Sequence, residues 1–184
     1  MKSLSEKQAL AKLRKLKTVY QELIQTGYEH KAKSCLTCET KGACCLDAHF
    51  VNVHITRLEA VAARETLAKL DHKKQMEIYR RVEKTIEKYD LNVESDSFRK
   101  TYACPLFEKG VGCLVHHDAK PAPCIQHACY ENKADLPPDR LQSETEANIE
   151  RLDERVYRRP SIWLPLPVWL SRINPFRNIT KKEI

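Results

Sequence analysis

The chain has 184 residues, of which 42% are hydrophobic and 31% charged, a composition typical of an ordinary soluble protein. A chain of this length can bury a hydrophobic core without covalent cross-links, so its eight cysteines are not needed for size reasons. Its 4 glycines argue against a β-rich fold with many tight turns. The net charge of +7 favours acidic partners in general but identifies none.

The first residues lack the apolar region of a secretory signal, and no stretch of the sequence reaches the length of a membrane span. We therefore expect a cytoplasmic protein with no membrane span, in which thiols stay reduced. Cysteines in a reducing compartment point to metal or redox chemistry rather than to a disulfide framework.

The first predicted element is a helix over about residues 3–34. Apolar residues recur there at helical steps: Leu13, Leu16, Tyr20 and Leu23. The first half of this helix is basic: Lys12, Arg14, Lys15 and Lys17. Such a run is typical of a solvated helix face, and the alternative is a docking surface for an acidic protein partner.

A short strand and two helices are predicted next. Residues 50–55 alternate between apolar and polar side chains, which indicates a strand. Thr56 and Glu59 have the spacing of a capping box, so a helix should begin there. A second helical pattern runs to about Tyr89, either separated from the first by a break near Asp71 or continuous with it.

The C-terminal part is predicted to hold a helix over residues 143–158 and then a tail that carries both tryptophans. Pro165 and Pro167 are expected to prevent a regular helix through this tail. One interpretation is an extended strap packed on the helices. The other is an exposed apolar patch that binds a partner or a membrane surface.

The eight cysteines form two groups of four. The first is spaced Cys35-x2-Cys38-x5-Cys44-Cys45, and the second Cys104-x8-Cys113-x10-Cys124-x4-Cys129. Thiolates are soft donors that select zinc, iron–sulfur clusters or Cu(I) over magnesium or calcium. The presence of four cysteines in each of two loop segments is most simply explained if the two segments meet in space. Eight thiolates could supply two zinc sites, two iron–sulfur clusters, or one cluster with spare thiols.

The adjacent Cys44 and Cys45 are a special case. In an extended segment their side chains point to opposite sides, so they are not expected to bind one ion together. Either one ligates the metal while the other packs inward, or the two face different sites. His116, His117 and His127 lie within the second group and could replace a thiolate on zinc, or they could be ordinary polar loop residues.

The cysteine pattern resembles the YkgJ-like cysteine-cluster family, also called the CxxCxxCC family, which is described as zinc- or iron-chelating. The resemblance covers about residues 35–130 and matches all eight cysteine positions. It includes Gly42 before the cysteine pair, the C-P-x-L-like run from Cys104 to Phe107, and Pro121 before Cys124. Two extra residues separate Cys38 from Gly42, and Lys120 and Ile125 replace arginines of the family pattern.

The resemblance implies a mostly α-helical domain with cysteine-rich loops that converge on a metal site, and at most short strands. It favours an iron–sulfur cluster, of the 4Fe–4S type, with zinc as the alternative, because the family includes flagellin lysine N-methylase, where this module is thought to carry a cluster. All eight cysteines are candidate ligands: Cys35, Cys38, Cys44, Cys45, Cys104, Cys113, Cys124 and Cys129. The segments are an N-terminal helix (1–34), the cysteine-cluster domain (35–140), and a C-terminal helix with the Trp/Pro tail (141–184).

Three functions stay open at this stage. The favoured one is a metal-binding protein with a redox or structural role. The others are a zinc-binding adaptor and a cluster-dependent group-transfer enzyme that acts on a protein. The sequence has no glycine-rich cofactor loop that would mark nucleotide binding. The partner expected is a protein, bound through the basic helix or the Trp/Pro tail, whereas nucleic acid is disfavoured because the cationic residues are spread along the chain.

Overall fold

The computed structural model describes residues 3–34, 42–46, 52–91 and 99–177, and within them the chain is mostly helical with a few two-residue strands. The predicted fold class is therefore confirmed in its coarse form. The helices in this part of the chain are α1 (Glu6–Gly27), α2 (Arg57–Leu67), α3 (His72–Tyr89), α4 (Ala122–Gln126), α5 (Asp139–Tyr157) and α6 (Leu166–Arg172). The strands are β1 (Ala32–Lys33), β2 (His54–Ile55), β3 (Phe107–Glu108), β4 (Gly112–Cys113), β5 (Cys129–Tyr130) and β6 (Leu164–Pro165).

Contacts divide the chain into two compact units, each built from two separate stretches. Unit 1 comprises residues 1–41 and 120–162, and unit 2 comprises residues 42–119 and 163–184. None of the helices in the described ranges is both long enough and apolar enough to cross a membrane.

Unit 1 is built on the packing of α1 against α4 and α5. Helix α1 begins at a capping box, in which the side chain of Ser5 accepts from the amide of Gln8 and the Gln8 side chain accepts from the amide of Ser5. Its start is tied to the end of α5, because Tyr157 donates a hydrogen bond of 2.8 Å to the carboxylate of Glu6. The two helices therefore run antiparallel.

The buried face of α1 differs in part from the predicted stripe. Leu13 and Tyr20 are buried as expected, but Leu23 is 43% exposed and Ile24 is buried in its place. The inward face of the helix carries Ala9, Leu10, Leu13, Lys17, Tyr20 and Ile24. The predicted stripe failed at its end because Leu23 and Ile24 are both apolar, and only packing decides which one turns inward.

Unit 2 contains α2, α3 and α6. The predicted capping box is present, since the Thr56 side chain accepts from the amide of Glu59 and the Glu59 carboxylate accepts from the amide of Thr56. Of the two predicted alternatives, a break or one continuous helix, the structure has the break. Asp71 caps the start of α3 by accepting from the amide of Lys74 at 2.9 Å. Of the predicted strand, residues 54 and 55 form β2, residues 52 and 53 precede it, and residues 50 and 51 lie outside the described part.

The Trp/Pro tail completes unit 2. Strand β6 pairs antiparallel with β2, and α6 packs against α3 and α2. The expectation that the prolines prevent a helix is wrong, because α6 begins at Leu166 and Pro167 occupies its first turn, where an N–H has no helical acceptor to lose. Residues 164–170 are all buried. This burial fits the packed strap and not an exposed apolar patch.

Candidate metal centre

The structure divides the cysteines between the two units. Unit 2 holds Cys44, Cys45, Cys104 and Cys113, which come from both sequence groups. Unit 1 holds Cys124 and Cys129. The predicted ligands Cys35 and Cys38 lie outside the described residues. The structure thus brings together two cysteines of the first group and two of the second.

Cys44 and Cys45 lie in a single 3-10 turn over Ala43–Cys45. The turn closes through a 2.8 Å hydrogen bond from the amide of Cys45 to the carbonyl of Gly42, which has a φ of 81°. Because the backbone is coiled here and not extended, the two sulfur atoms lie 4.0 Å apart. The expectation that these side chains point to opposite sides is therefore wrong.

Cys104 connects the second cysteine group to this turn. Its amide donates a 2.8 Å hydrogen bond to the carbonyl of Cys45. Its own carbonyl accepts from the amide of Phe107 at 3.1 Å, which folds the Cys-Pro-Leu-Phe run into a tight turn. The backbone N–H groups of Leu106 and Phe107 lower the pKa of the Cys104 thiol and so oppose the effect of its burial. Backbone N–H groups directed at a sulfur stabilise its thiolate form and are a lever on the potential of an iron–sulfur cluster.

Cys113 is placed by the β3–β4 hairpin. It lies directly across from Phe107 in the antiparallel pair, and Gly112 lies across from Glu108. Gly110 and Gly112 have φ values of 84° and 101°, conformations that side chains other than glycine rarely adopt. The hairpin turn therefore returns the chain so that Cys113 lies next to the Cys104 turn.

The ring of Phe107 packs against the backbone of Gly42. A methyl group built at Gly42 would overlap the ring carbons of Phe107. This contact needs glycine for two reasons, the positive φ and the lack of space. It holds the turn of the first cysteine group against the turn of the second.

Neighbouring thiols of unit 2 raise the pKa of Cys45 and of Cys104. A hydrogen bond with the Cys44 thiol, followed by burial and the neighbouring Cys104 thiol, raises the pKa of Cys45 above its usual value. Burial raises the pKa of Cys104 to about 12, and the amides of Leu106 and Phe107 oppose this rise. The raised pKa values of Cys45 and Cys104 favour the protonated form of these two thiols at neutral pH until a cation replaces the protons.

The donor set fits a soft metal in its chemistry and partly in its geometry. Four thiolates around zinc at about 2.3 Å place neighbouring sulfurs about 3.8 Å apart, close to the 4.0 Å between Cys44 and Cys45. Within residues 3–34, 42–46, 52–91 and 99–177, no group of three or more His, Cys, Asp or Glu side chains stands at metal-holding distances. The pair Cys44 and Cys45 is the part of the site that already has the required spacing.

Unit 1 positions the other two described cysteines differently. Cys124 is half-buried in the short helix α4, and Tyr20 of α1 donates a 2.6 Å hydrogen bond to Gln126 of the same helix. Cys129 is exposed in β5, directly across from Lys33 of β1. The N-terminal helix and strand thus support the end of the second cysteine group, which the sequence did not predict.

The candidate histidines lie in different parts of the fold. His116 and His117 are both exposed, with their rings edge to face at 4.8 Å. Burial, and to a lesser extent Lys120, lower the pKa of His127 in unit 1. A further histidine, His54, is buried in β2 of unit 2, and burial lowers its pKa.

Two basic residues of α3 contact the β3–β4 hairpin and were not singled out from the sequence. Lys74 forms an ion pair with Glu108, at 2.8 Å, and a weaker one with Glu77. Nη1 of Arg81 lies 3.5 Å from the carbonyl oxygen of Phe107. Their separation of seven residues, two helical turns, was the signal that both would lie on one face of α3.

Comparison of the chain with protein-family models, curated proteins and solved structures found no match. The site is therefore interpreted from its own geometry.

Proposed function

We propose that this protein binds a soft metal through the thiols of Cys44, Cys45, Cys104 and Cys113, with a redox or structural role. The observation that carries the proposal is the 2.8 Å hydrogen bond from the Cys104 amide to the Cys45 carbonyl. This bond joins a cysteine of the first sequence group directly to a cysteine of the second. The 4.0 Å separation of the Cys44 and Cys45 sulfurs supports a shared ion.

An iron–sulfur cluster is the favoured cargo, and zinc is the alternative. The resemblance to the YkgJ-like family, which stays part of this proposal, favours the cluster. The backbone N–H groups of Leu106 and Phe107, which favour the thiolate form of Cys104, would serve either cargo. Zinc would use the same four thiolates as a closed structural site. Either group would supply a positive centre that keeps the four half-buried thiolates together, and a cluster would add electron transfer.

The deciding experiment is anaerobic purification followed by absorption spectroscopy and metal analysis. A brown protein with sulfide-to-iron charge-transfer bands and bound iron would support the cluster. A colourless protein with stoichiometric zinc would support the structural site. A native preparation with neither metal would refute the proposal.

Serine variants identify the ligands. We expect Cys45→Ser and Cys104→Ser to lose most of the bound metal, because each removes a thiolate from the proposed set. Cys129→Ser is the comparison variant, since Cys129 is exposed and belongs to unit 1. A four-thiol site in unit 2 predicts that Cys129→Ser keeps its metal. Equal loss in all three variants would contradict this ligand set.

A further inference from the structure

One face of α1 is exposed and carries both cationic and apolar side chains. The opposite face of the helix packs against α4 and α5, whereas Lys12, Lys15, Val19 and Leu23 face solvent. These four residues, the α1 stripe, follow one another at steps of three and four, so they line one side of the helix. Val19 is 56% exposed and Leu23 is 43% exposed, although both are large apolar side chains.

The N-terminal end of the α1 stripe is cationic and has no acidic neighbours. The chain carries no Asp or Glu between Glu6 and Glu22, so the positions one turn away from Lys12 and Lys15 hold no carboxylate. No ion pair joins either lysine to a carboxylate elsewhere in the part of the chain that the structure describes. Two like charges three residues apart on a helix repel each other. The stripe therefore presents two unneutralised cations beside two apolar side chains.

The structure also decides between the two surfaces that the sequence suggested for a protein partner. Residues 164–170 of the Trp/Pro tail are buried, so their apolar side chains are not available to a partner. The α1 stripe is accessible over its whole length. From Lys12 to Leu23 it covers three helical turns, about 17 Å, which is enough to contact several turns of another helix.

We infer that the α1 stripe is a docking surface for an acidic amphipathic helix of another protein. Carboxylates of that helix would face Lys12 and Lys15, and its apolar side chains would pack on Val19 and Leu23. A helix suits the stripe because its own side chains recur at steps of three and four and so match the spacing of the four residues. This inference does not depend on a bound metal.

Other occupants complement the α1 stripe less well. A second copy of this chain, docked through the same stripe, offers Glu22 as its one nearby carboxylate, at the apolar end, and leaves one lysine without a partner. The phosphates of a nucleic acid would pair with the lysines but leave Val19 and Leu23 exposed. A helix that lies on a membrane buries its apolar face in the lipid, whereas the apolar face of α1 is packed against α4 and α5.

The first test uses a fluorescent, alanine-based helical peptide with two glutamates and two leucines at the spacing of the α1 stripe. Binding is measured by fluorescence anisotropy. We expect the double variant Lys12→Glu and Lys15→Glu to bind this peptide about tenfold more weakly than the wild type, because attraction becomes repulsion. The double variant Lys73→Glu and Lys84→Glu changes two exposed lysines of α3, has the same net charge, and should bind like the wild type.

Two further comparisons separate specific docking from general charge attraction. A peptide with lysines in place of the glutamates should bind the charge-reversed α1 variant more tightly than the wild type. The double variant Val19→Ser and Leu23→Ser, which keeps every charge, should bind the acidic peptide about tenfold more weakly because the apolar contacts are lost. Equal affinities of the acidic peptide for the wild type and for either α1 variant would overturn the inference.

The natural partner can be captured with a photo-reactive amino acid at the position of Val19, cross-linked in cells. A cross-linked segment that is acidic and has apolar residues at helical spacing would support the inference. A segment without that pattern, a cross-link to this same chain, to lipid or to nucleic acid, or the lack of any cross-linked protein would overturn it. A wild type that binds neither zinc nor iron would overturn the proposed function and leave this inference standing.

Discussion

The amide of Cys104 and the carbonyl of Cys45 are joined by a 2.8 Å hydrogen bond across a sequence separation of 59 residues. This bond holds two turns together. One carries Cys44 and Cys45, and the other begins at Cys104 and leads into the hairpin that carries Cys113. Its strength does not depend on any side chain, so serine variants of these cysteines can keep the fold while they lose the thiols. Because the backbone bond is independent of the thiols, the site can be tested by substitution of the cysteines.

The Gly42 position can be tested with Gly110 as its control. Both glycines have a positive φ, but a methyl group at Gly42 meets the ring of Phe107, whereas one at Gly110 meets nothing within 4 Å. Each alanine variant should lose about 1–2 kcal/mol because of its φ. Gly42→Ala should lose more, and should also lose metal, whereas Gly110→Ala should keep it. Urea unfolding and metal analysis provide the measurements, and equal metal content in the two variants would contradict the role of the contact.

Removal of the hydroxyl should change the stability of the protein differently at two buried tyrosines. Tyr102 donates a 2.8 Å hydrogen bond to the carbonyl of Val53, which also accepts from the amide of Leu166 at 2.9 Å. Tyr102→Phe loses one of these two bonds and should destabilise by about 0.5–1.5 kcal/mol. The Tyr79 hydroxyl is buried with no hydrogen-bond partner in the described residues. Tyr79→Phe should therefore be neutral or stabilising. Chemical denaturation measures both, and a similar loss in the two variants would show that ring packing dominates.

The buried His54 should make stability depend on pH below neutrality. Burial lowers its pKa below 6.5, so on acidification the unfolded chain takes up this proton before the folded one. The free energy of unfolding should thus fall as pH drops below about 6.5, by at most about 1.4 kcal/mol per pH unit from this residue, and should stay level in this respect above 6.5.

The measurement for His54 is urea unfolding of the metal-free protein at several pH values between 5 and 8. His54→Gln should show a smaller loss of stability on acidification than the wild type does. His30→Gln, at an exposed position, serves as the control and should follow the wild type. A pH dependence unchanged by His54→Gln would mean that other groups cause it.

The hydrogen bond between Tyr20 and Gln126 should stabilise the helix that carries Cys124. The phenol is buried and lies 2.6 Å from the amide oxygen, so Tyr20→Phe should cost about 1–3 kcal/mol by leaving Gln126 without its donor. Alkylation of the Cys124 thiol should also become faster, because α4 would open more often. Tyr28→Phe is the control, because Tyr28 directly follows α1, the helix that carries Tyr20. Equal alkylation rates in the two variants would contradict the link between the hydrogen bond and the opening of α4.

Local signals in the sequence were sufficient where neighbouring residues decide the structure. The capping box of Thr56 and Glu59 formed as predicted, because both partners lie within one turn. The break before α3, one of two predicted alternatives, is present, and the structure shows Asp71 as its cap. Burial of the Trp/Pro tail was one of two predicted alternatives, but its helix was missed because the position of Pro167 within the first turn depends on where β6 ends.

The sequence names the candidate thiols but does not predict how the fold distributes them between the two units. Proximity in sequence placed Cys104 and Cys124 together, whereas the fold places Cys104 in unit 2 and Cys124 in unit 1. The pairing of Cys44 with Cys45 was missed because the backbone there coils through Gly42, and residue periodicity carries no information on a single turn. Arg81 could have been noticed only once its contact with the hairpin was known.

The discontinuous construction of unit 2 has a consequence for how the protein is made. His54 in β2 pairs with Pro165 in β6, so this unit can close only when the last quarter of the chain has emerged from the ribosome. At about 5–20 residues per second, roughly 6–24 s pass between synthesis of Cys44 and of Trp163. During that interval the vicinal thiols exist without the strand and helix that complete their scaffold.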